Sequence, residues 1–293
     1  MNRIKLNAEM LKKNIELLKC PICGKSMRVA EMKSLICPHG HTFDIAKQGY
    51  VNLLARPVHT HYGKALFEAR RNIIVHHGFF NPLIQKLTTC IGEVAAASNQ
   101  RIDLLDLGCG EGSHLAAICQ KLVKDYSFHI MGSGVDIAKE GIQLASKYYP
   151  DQLWFVGDLA QPAFADHHFD FILNILSPSN YQVFDQLLKP GGRIIKVIPS
   201  GGYLKELRTS FYEEEKISYS NAEIKALFLN HFSNARTETV SYVARLNHEG
   251  VQDLLQMTPL AWTAAEEKRE EWMKKTSAEI SVDFEILIGN KSF

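Results

Sequence analysis

The sequence predicts an α/β fold of the Rossmann-like kind, built on a mostly parallel sheet. Two observations carry this. From residue 101 onward, apolar runs of strand length alternate with segments of helical periodicity, the pattern of a parallel sheet covered by helices on both faces. The first run, Ile102 to Leu105, leads straight into Asp106-Leu107-Gly108-Cys109-Gly110-Glu111-Gly112, a strand that ends in a glycine-rich turn and opens a helix. Such a turn lets a ligand approach bare backbone where unpaired N–H groups and the helix dipole favour carboxylate or phosphate. It points to a nucleotide-like cofactor and leaves open which one.

Before that domain, Leu11, Ile15 and Leu18 share a face of a short helix within residues 1–19, and a cysteine-bearing module runs to about Leu54. Residues 55–65 lack periodicity and contain Pro57 and Gly63, which marks a linker or loop. Helical patterning then covers Leu66 to Ile91, broken near Gly78 and Pro82. Within 101–293 strands are expected at 102–107, 129–136, 153–157, 169–176 and 193–198, with helices near 112–124, 138–148 and 181–188. A helix near 203–215, a strand near 237–245 and a helix from His248 to Gln256 follow, and Val282 to Ile288 reads as an edge strand. The expected organisation is a helical extension at 1–19, a metal module at 20–54, connecting helices at 55–100 and the cofactor domain at 101–293.

Composition is that of an ordinary globular protein, 46% hydrophobic and 22% charged at a net charge of +1. No signal peptide, long apolar run or repeat is visible, which predicts a cytosolic protein without membrane partners. The charge is unevenly spread: residues 1–80 hold 13 Lys and Arg against 5 Asp and Glu, so the rest is acidic. A basic end on a neutral chain fits an electrostatic footprint for a polyanion, or a merely solvated face.

Three of the six cysteines crowd that end. Cys20-Pro-Ile-Cys23 followed by Cys37-Pro-His-Gly-His41 gives two turns aiming soft ligands at one point, the makings of a closed tetrahedral zinc site. A closed site leaves no position for substrate, so its role is structural, stapling a segment too short for its own core. By spacing alone His39 competes with His41 as the fourth ligand.

The glycine pattern by itself does not separate NAD from other cofactors. Asp136, after Ile130-Met-Gly-Ser-Gly-Val, occupies the place where either class holds ribose hydroxyls. Three later features break the tie. Asp158 ends the third strand, the stretch Asn174-Ile-Leu-Ser-Pro-Ser-Asn-Tyr181 ends the fourth with a polar turn, and Leu187-Leu-Lys-Pro190-Gly-Gly-Arg leads into a fifth. In this order they resemble the class I S-adenosylmethionine-dependent methyltransferases, over about residues 101–200.

The amino-terminal half carries a closer likeness. Cys20-Pro-Ile-Cys23, His41-Thr-Phe-Asp-Ile-Ala-Lys-Gln-Gly-Tyr-Val-Asn-Leu-Leu54, Glu68-Ala-Arg-Arg71, Gly78-Phe-Phe-Asn-Pro82, the glycine turn and Met257-Thr-Pro259 occur in one order. Together they resemble the bacterial 23S rRNA guanine-N1 methyltransferases with an N-terminal zinc module, the RlmA family. Ser177-Pro-Ser-Asn-Tyr181 is most like the Gram-positive branch, which includes tylosin-resistance enzymes. The resemblance implies methylation of one guanine in a 23S rRNA hairpin loop lining the peptide exit tunnel, S-adenosylmethionine as donor, structural zinc and a homodimer. It implies zinc ligands at Cys20, Cys23, Cys37 and His41, and cofactor contacts at Phe80, Gly108, Gly110, Glu111, Asp136, Asp158 and Tyr203. Asp106 and Gly112 complete the cofactor turn. Two positions depart from the family: Phe80 stands where tyrosine is common, and Ser113-His114 replace residues that are often aromatic.

Guanine N1 carries a proton, so the site must remove it or stabilise charge developing on O6. Asn174, Ser177, Asn180 and Tyr181 are the candidates to hold the guanine, which must first be splayed out of its stack. No Asp or Glu in that turn offers itself as the base. Arg70 and Arg71 are candidates for phosphate contact, in a clamp formed by the zinc module with residues 55–71. The competing readings are a small-molecule methyltransferase, and a zinc-bearing RNA-binding protein whose cofactor fold is inactive.

Overall fold

The computed structural model describes residues 3–56, 58, 60–95, 101–212, 220–232 and 234–291. Pro57 and the 213–215 end of the helix expected near 203–215 lie outside them. Helix α1 (Arg3–Lys13) buries Asn7, Ala8 and Leu11, then gives way to a 3-10 turn at Ile15–Leu17. The expected helix ends early because Leu18 pairs with Phe164 and the Lys19 N–H donates to the Ala163 carbonyl at 3.0 Å. Strands β1 (Arg28–Ala30), β2 (Ser34–Ile36) and β3 (Thr42–Asp44) form a small antiparallel sheet. After it, β4 (Val51–Asn52) leaves the module and joins the edge of the large sheet, opposite Phe155 and Val156.

Helix α2 (Lys64–Arg71) runs into a π-helical turn at Asn72–His76. Gly78, at φ +62°, breaks the path before α3 (Asn81–Ala95). The sheet domain follows in alternation: β5 (Ile102–Leu107), α4 (Ser113–Tyr126), β6 (Ile130–Asp136), α5 (Lys139–Tyr148), β7 (Leu153–Val156), β8 (Phe169–Ile175), α6 (Tyr181–Leu187) and β9 (Leu188–Pro199). All four β5 to β8 strands run parallel, and β9 runs parallel to β8. β9 starts earlier than residue 193 because Leu188 already pairs with Phe169. Pro190-Gly-Gly is absorbed as an irregularity in the register, with Gly191 at φ +76°.

The remainder adds α7 (Lys205–Phe211), α8 (Ala222–His231), β10 (Arg236–Asn247), α9 (His248–Met257), α10 (Glu266–Met273) and β11 (Ser277–Asn290). Here the structure corrects the expected edge strand. β11 lies inside the sheet, antiparallel to both β9 and β10, and Ile280, Val282, Phe284, Ile286 and Ile288 are buried. β10, with alternating exposure, is the edge. The order is β10-β11-β9-β8-β5-β6-β7-β4. A dinucleotide fold would continue beyond β9 with a parallel strand; the antiparallel β11 is the arrangement of a class I S-adenosylmethionine-dependent methyltransferase sheet.

Two apolar cores cover the two faces. One gathers α3, α4 and α9 around Ile118, Trp154 and Phe284; the other joins Leu105, Phe155 and Leu287 to Leu11, Leu35 and Cys37 of the amino-terminal module. Chain order reverses at β5, whose neighbours are β6 and β8, and ligands of open α/β sheets bind beyond the carboxyl ends at such a point. Among the described residues no helix is long and apolar enough to cross a membrane.

Candidate active site and metal-ligand cluster

A cavity of about 610 Å³ opens at that switch point, the size of a small-molecule site. Of the residues expected to hold cofactor, Phe80, Gly108, Asp136 and Tyr203 line it. Asp106, Gly110, Glu111 and Gly112 do not line it; Arg70, which does, pairs with Glu111 and covers Gly110. Asp158 stands exposed at the rim, where its Oδ1 accepts the Ala160 N–H at 2.8 Å and the next residue, Leu159, faces the cavity.

The glycine loop makes the floor. Gly108, at φ +86°, has Ser177 so close that an added Cβ would lie 1.9 Å from its Oγ. Gly110, at φ +58°, is covered by the Arg70 guanidinium, and its N–H donates to Asp136 Oδ2 at 2.8 Å. The other oxygen of Asp136 accepts the Ala138 N–H at 2.8 Å, so the carboxylate ties β6 to the loop.

Charge is concentrated behind the floor. Arg70 Nε sits 3.0 Å from Glu111 Oε2, and Glu111 is completely buried. Burial alone would pull the Arg70 pKa down, but Glu111, Asp136 and Asp106 outweigh it and raise it. One guanidinium thus serves three carboxylates. Burial pushes Asp106 up to about 7, against the pull of Arg70 and helped by Asp136 and Glu111. Asp106 Oδ1 has no hydrogen-bond partner among the described residues. The three carboxylates outnumber the one guanidinium, and a net-negative pocket end suits a ligand that carries positive charge, as the sulfonium and ammonium of S-adenosylmethionine do.

Asp106 also sets a pH dependence. Its folded pKa is raised above the unfolded value of about 3.9, so its contribution to stability is intact below pH 4 and lost as pH rises through 7. Asp106→Asn is expected to match the wild type near pH 4 and exceed it above pH 7, by at most roughly 4 kcal/mol at about 1.4 kcal/mol per unit. Urea unfolding at pH 4.5 and pH 8 reads the difference. An equal offset at both would contradict it.

Phe80 is buried and stacks edge-to-face on His114 at 4.9 Å. Burial, with Arg70 adding to it, lowers the His114 pKa well below the usual histidine value, which keeps the ring neutral. Its Nε2 has no hydrogen-bond partner among the described residues. Tyr203, whose ring lies 4.7 Å from Phe284, is pushed up by burial. Opposite, Met257, Thr258 and Pro259 form part of the wall, and Tyr62 and Trp262 close over the mouth with ring centroids 6.0 Å apart.

The four residues expected to hold substrate fall in different places. Ser177 lines the cavity. Asn174 is fully buried, with Nδ2 donating to the Leu107 and Pro178 carbonyls at 3.0 Å each and Oδ1 accepting from Lys196 at 2.7 Å and Ser179 at 3.3 Å. Its amide has no group left for a substrate. Asn180 caps α6, accepting the Val183 N–H. Tyr181 packs against Phe184, Phe228 and Phe232 and stacks on His231 at 5.7 Å. Nor do Arg70 and Arg71 reach outward: Arg70 holds the loop, and Arg71 lies 3.9 Å over the Tyr148 ring. The residue not anticipated is Lys196, buried on β9 and lining the cavity. A lysine inside Ile194-Ile-Lys-Val-Ile198 was a visible signal of it.

At the other end, Cys20, Cys23, Cys37 and His41 bring their ligand atoms within 4.8 Å of one another. Cys23 and Cys37 sulfurs are 3.7 Å apart, and His41 Nδ1 is 3.5 Å from Cys20 Sγ and 3.4 Å from Cys37 Sγ. A tetrahedral ion with Zn–S near 2.3 Å and Zn–N near 2.0 Å has edges of roughly 3.7 and 3.5 Å, so the cluster fits one. Gly24 and Gly40, both at positive φ, close the two ligand turns, each donating its N–H to the cysteine that opens the turn. His39 is exposed beside His41 and takes no part in the cluster.

Comparison with known families agrees with both halves. Residues 18–64 match the family model described as RlmA, N-terminal, a zinc ribbon, and residues 104–202 match that of a methyltransferase domain. A Bacillus subtilis (strain 168) protein provisionally named 23S rRNA (guanine-N(1)-)-methyltransferase YxjB is 42% identical over 281 residues, covering 95% of this chain and 98% of its own. The 23S rRNA (guanine(748)-N(1))-methyltransferase of Streptomyces fradiae is 28% identical over 86% of this chain and 88% of its own. A Micromonospora griseorubida protein with a provisional name of the same type is 28% identical over 84% of this chain and 86% of its own.

Proposed function

The chain belongs to the RlmA-type family of bacterial 23S rRNA guanine-N1 methyltransferases, and from that premise we propose that it methylates N1 of one guanine in a 23S rRNA hairpin loop near the peptide exit tunnel. The observation that carries this is the pairing, in one chain, of a cavity suited to a cationic nucleoside with a basic module built around four metal-ligating side chains. On that module and the helix that precedes it, Lys5, Lys12, Lys13, Lys25, Arg28 and Lys33 are all exposed, as contacts to phosphate require. A small-molecule methyltransferase has no use for such a surface.

When bound, S-adenosylmethionine supplies an electrophilic methyl carbon on a sulfonium. The chain's part is to position: the glycine loop and Asp136 fix one end of the cavity, Phe80 and Tyr203 flank it, and the turn after β8 forms the side open to a flipped base. Cys20, Cys23, Cys37 and His41 hold a structural zinc, which shapes the RNA-facing surface and takes no part in methyl transfer. The tylosin-resistance-type branch, a cytoplasmic location and a homodimer complete the reading.

N1 methylation blocks Watson–Crick pairing, so reverse transcription of 23S rRNA stops one residue before the modified base. Deleting the gene is expected to abolish one such stop at a guanine in a hairpin loop, and restoring it to bring the stop back. An unchanged set of stops would refute the substrate assignment.

A further inference from the structure

We propose that Lys196 is the general base of the reaction, its side-chain nitrogen taking the N1 proton of the guanine. This rests on the guanine-N1 substrate and supplies the group that the carboxylates do not. Lys196 Nζ has two hydrogen-bond neighbours, both acceptors: Asn174 Oδ1 at 2.7 Å and the Ser177 carbonyl at 3.1 Å. Neither can turn away. The Asn174 amide is locked by the bonds its Nδ2 donates to Leu107 and Pro178, and the Ser177 carbonyl belongs to the turn those bonds hold.

A neutral amine has two N–H groups and one lone pair. With both N–H groups engaged by fixed acceptors, the lone pair is what remains for the cavity that Lys196 lines. Directly across the sheet stand Asn174 on β8 and Leu287 on β11, neither of them charged. Two residues along β9, Ile198 faces Glu285 on β11, which pairs with Lys225 on α8 at 2.7 Å. The other titratable groups of the cavity are Tyr62, Arg70, His114, Asp136, Tyr203 and Arg208. Burial lowers Lys196 to about 8, so on the order of a tenth of it is neutral at pH 7.

In the step, the N1–H bond breaks and the proton passes to Nζ. The pair left on N1 forms the bond to the methyl carbon, and the pair of the donor's carbon–sulfur bond remains on sulfur as a neutral thioether. The resulting ammonium at Lys196 then releases its proton to water. Asn174 acts through Lys196 as a positioning residue.

The test uses the full zinc-loaded chain. With lysine side-chain nitrogens labelled with ¹⁵N, one resonance is expected to titrate near pH 8 and to be missing in Lys196→Arg. Single-turnover methylation of the rRNA hairpin at saturating S-adenosylmethionine is expected to rise about tenfold per pH unit below that value and level above it. Lys196→Arg keeps a cation but no usable lone pair, and Lys196→Met keeps neither. Both are expected to lose at least about 100-fold in rate, the low end for a general base, while calorimetry shows S-adenosylmethionine affinity within about threefold of wild type. A wild-type rate flat from pH 6 to 9, no lysine titrating near 8, or Lys196→Arg within fivefold of wild type would overturn the assignment while leaving the substrate intact. A wild-type enzyme that leaves guanine N1 unmodified would sink both.

Discussion

Replacing Cys37 with serine is expected to strip the zinc and lower the melting temperature of the whole chain, beyond its first fifty residues. Cys20 and Cys37 are almost fully buried, in the same apolar core that holds Leu105, Leu107 and Phe155 of the large sheet. The backbone is stitched across as well: β4 pairs with β7, Leu18 with Phe164, and the Ala165 N–H donates to the Leu17 carbonyl at 2.8 Å. In isolated zinc-finger peptides the metal contributes about 10–16 kcal/mol of folding free energy at pH 7. Here the loss is capped by the stability of the packed module. Even about 3 kcal/mol would lower Tm by roughly 5 °C in a chain of this size. Metal analysis should read close to one zinc per chain for wild type and little for the variant, with calorimetry showing the lowered transition. Full zinc in Cys37→Ser, or a melting temperature unchanged from wild type, would contradict this account.

Gly108→Ala is expected to weaken S-adenosylmethionine binding at least tenfold while leaving zinc content unchanged. The added Cβ would meet Ser177 Oγ at 1.9 Å and Cβ at 2.7 Å, and alanine is strained at φ +86° whatever the space. Ser177 cannot simply retreat, because Asn174 fastens its turn to the end of β5 through Leu107 and Pro178. The loop must move instead, into the ground the cofactor needs. Backbone strain and overpacking of this kind cost about 1–3 kcal/mol, enough to distort the site without unfolding the chain. At Gly63 an added Cβ meets nothing within 4 Å, so Gly63→Ala serves as the control. Titration calorimetry of both variants checks the pair. Wild-type affinity in Gly108→Ala would show that the loop does not form the cofactor floor.

The parts legible in the sequence were those written in local patterns. The glycine turn announces itself because strand, turn and helix occupy adjacent residues. The metal cluster was readable because each ligand pair closes its own turn, so all four ligands fall within 22 residues. Residues whose meaning depends on distant partners were harder. Arg70 reads in the sequence as a candidate phosphate contact, whereas the fold sets it against Glu111 and Gly110. Asn174 looked like a substrate contact until its amide was seen spent on Leu107, Pro178 and Lys196. Lys196 itself is defined by a cross-strand neighbour. β11 reads as an edge in the sequence because its second neighbour, β10, is separated from it by α9 and α10. Helix α10 escaped notice because Glu266–Met273 buries only Trp272 and so has almost no apolar period.

The central claim is that this chain joins a methyl-donor site to an RNA-recognition module in order to modify guanine at N1. Incubating the zinc-loaded protein with tritiated S-adenosylmethionine and unmodified 23S rRNA, then mapping the label by nuclease digestion and mass spectrometry, tests it most directly. About one methyl group per rRNA is expected, on N1 of a single hairpin-loop guanine. Label on another atom or base, or none from a protein that binds the donor, would contradict it.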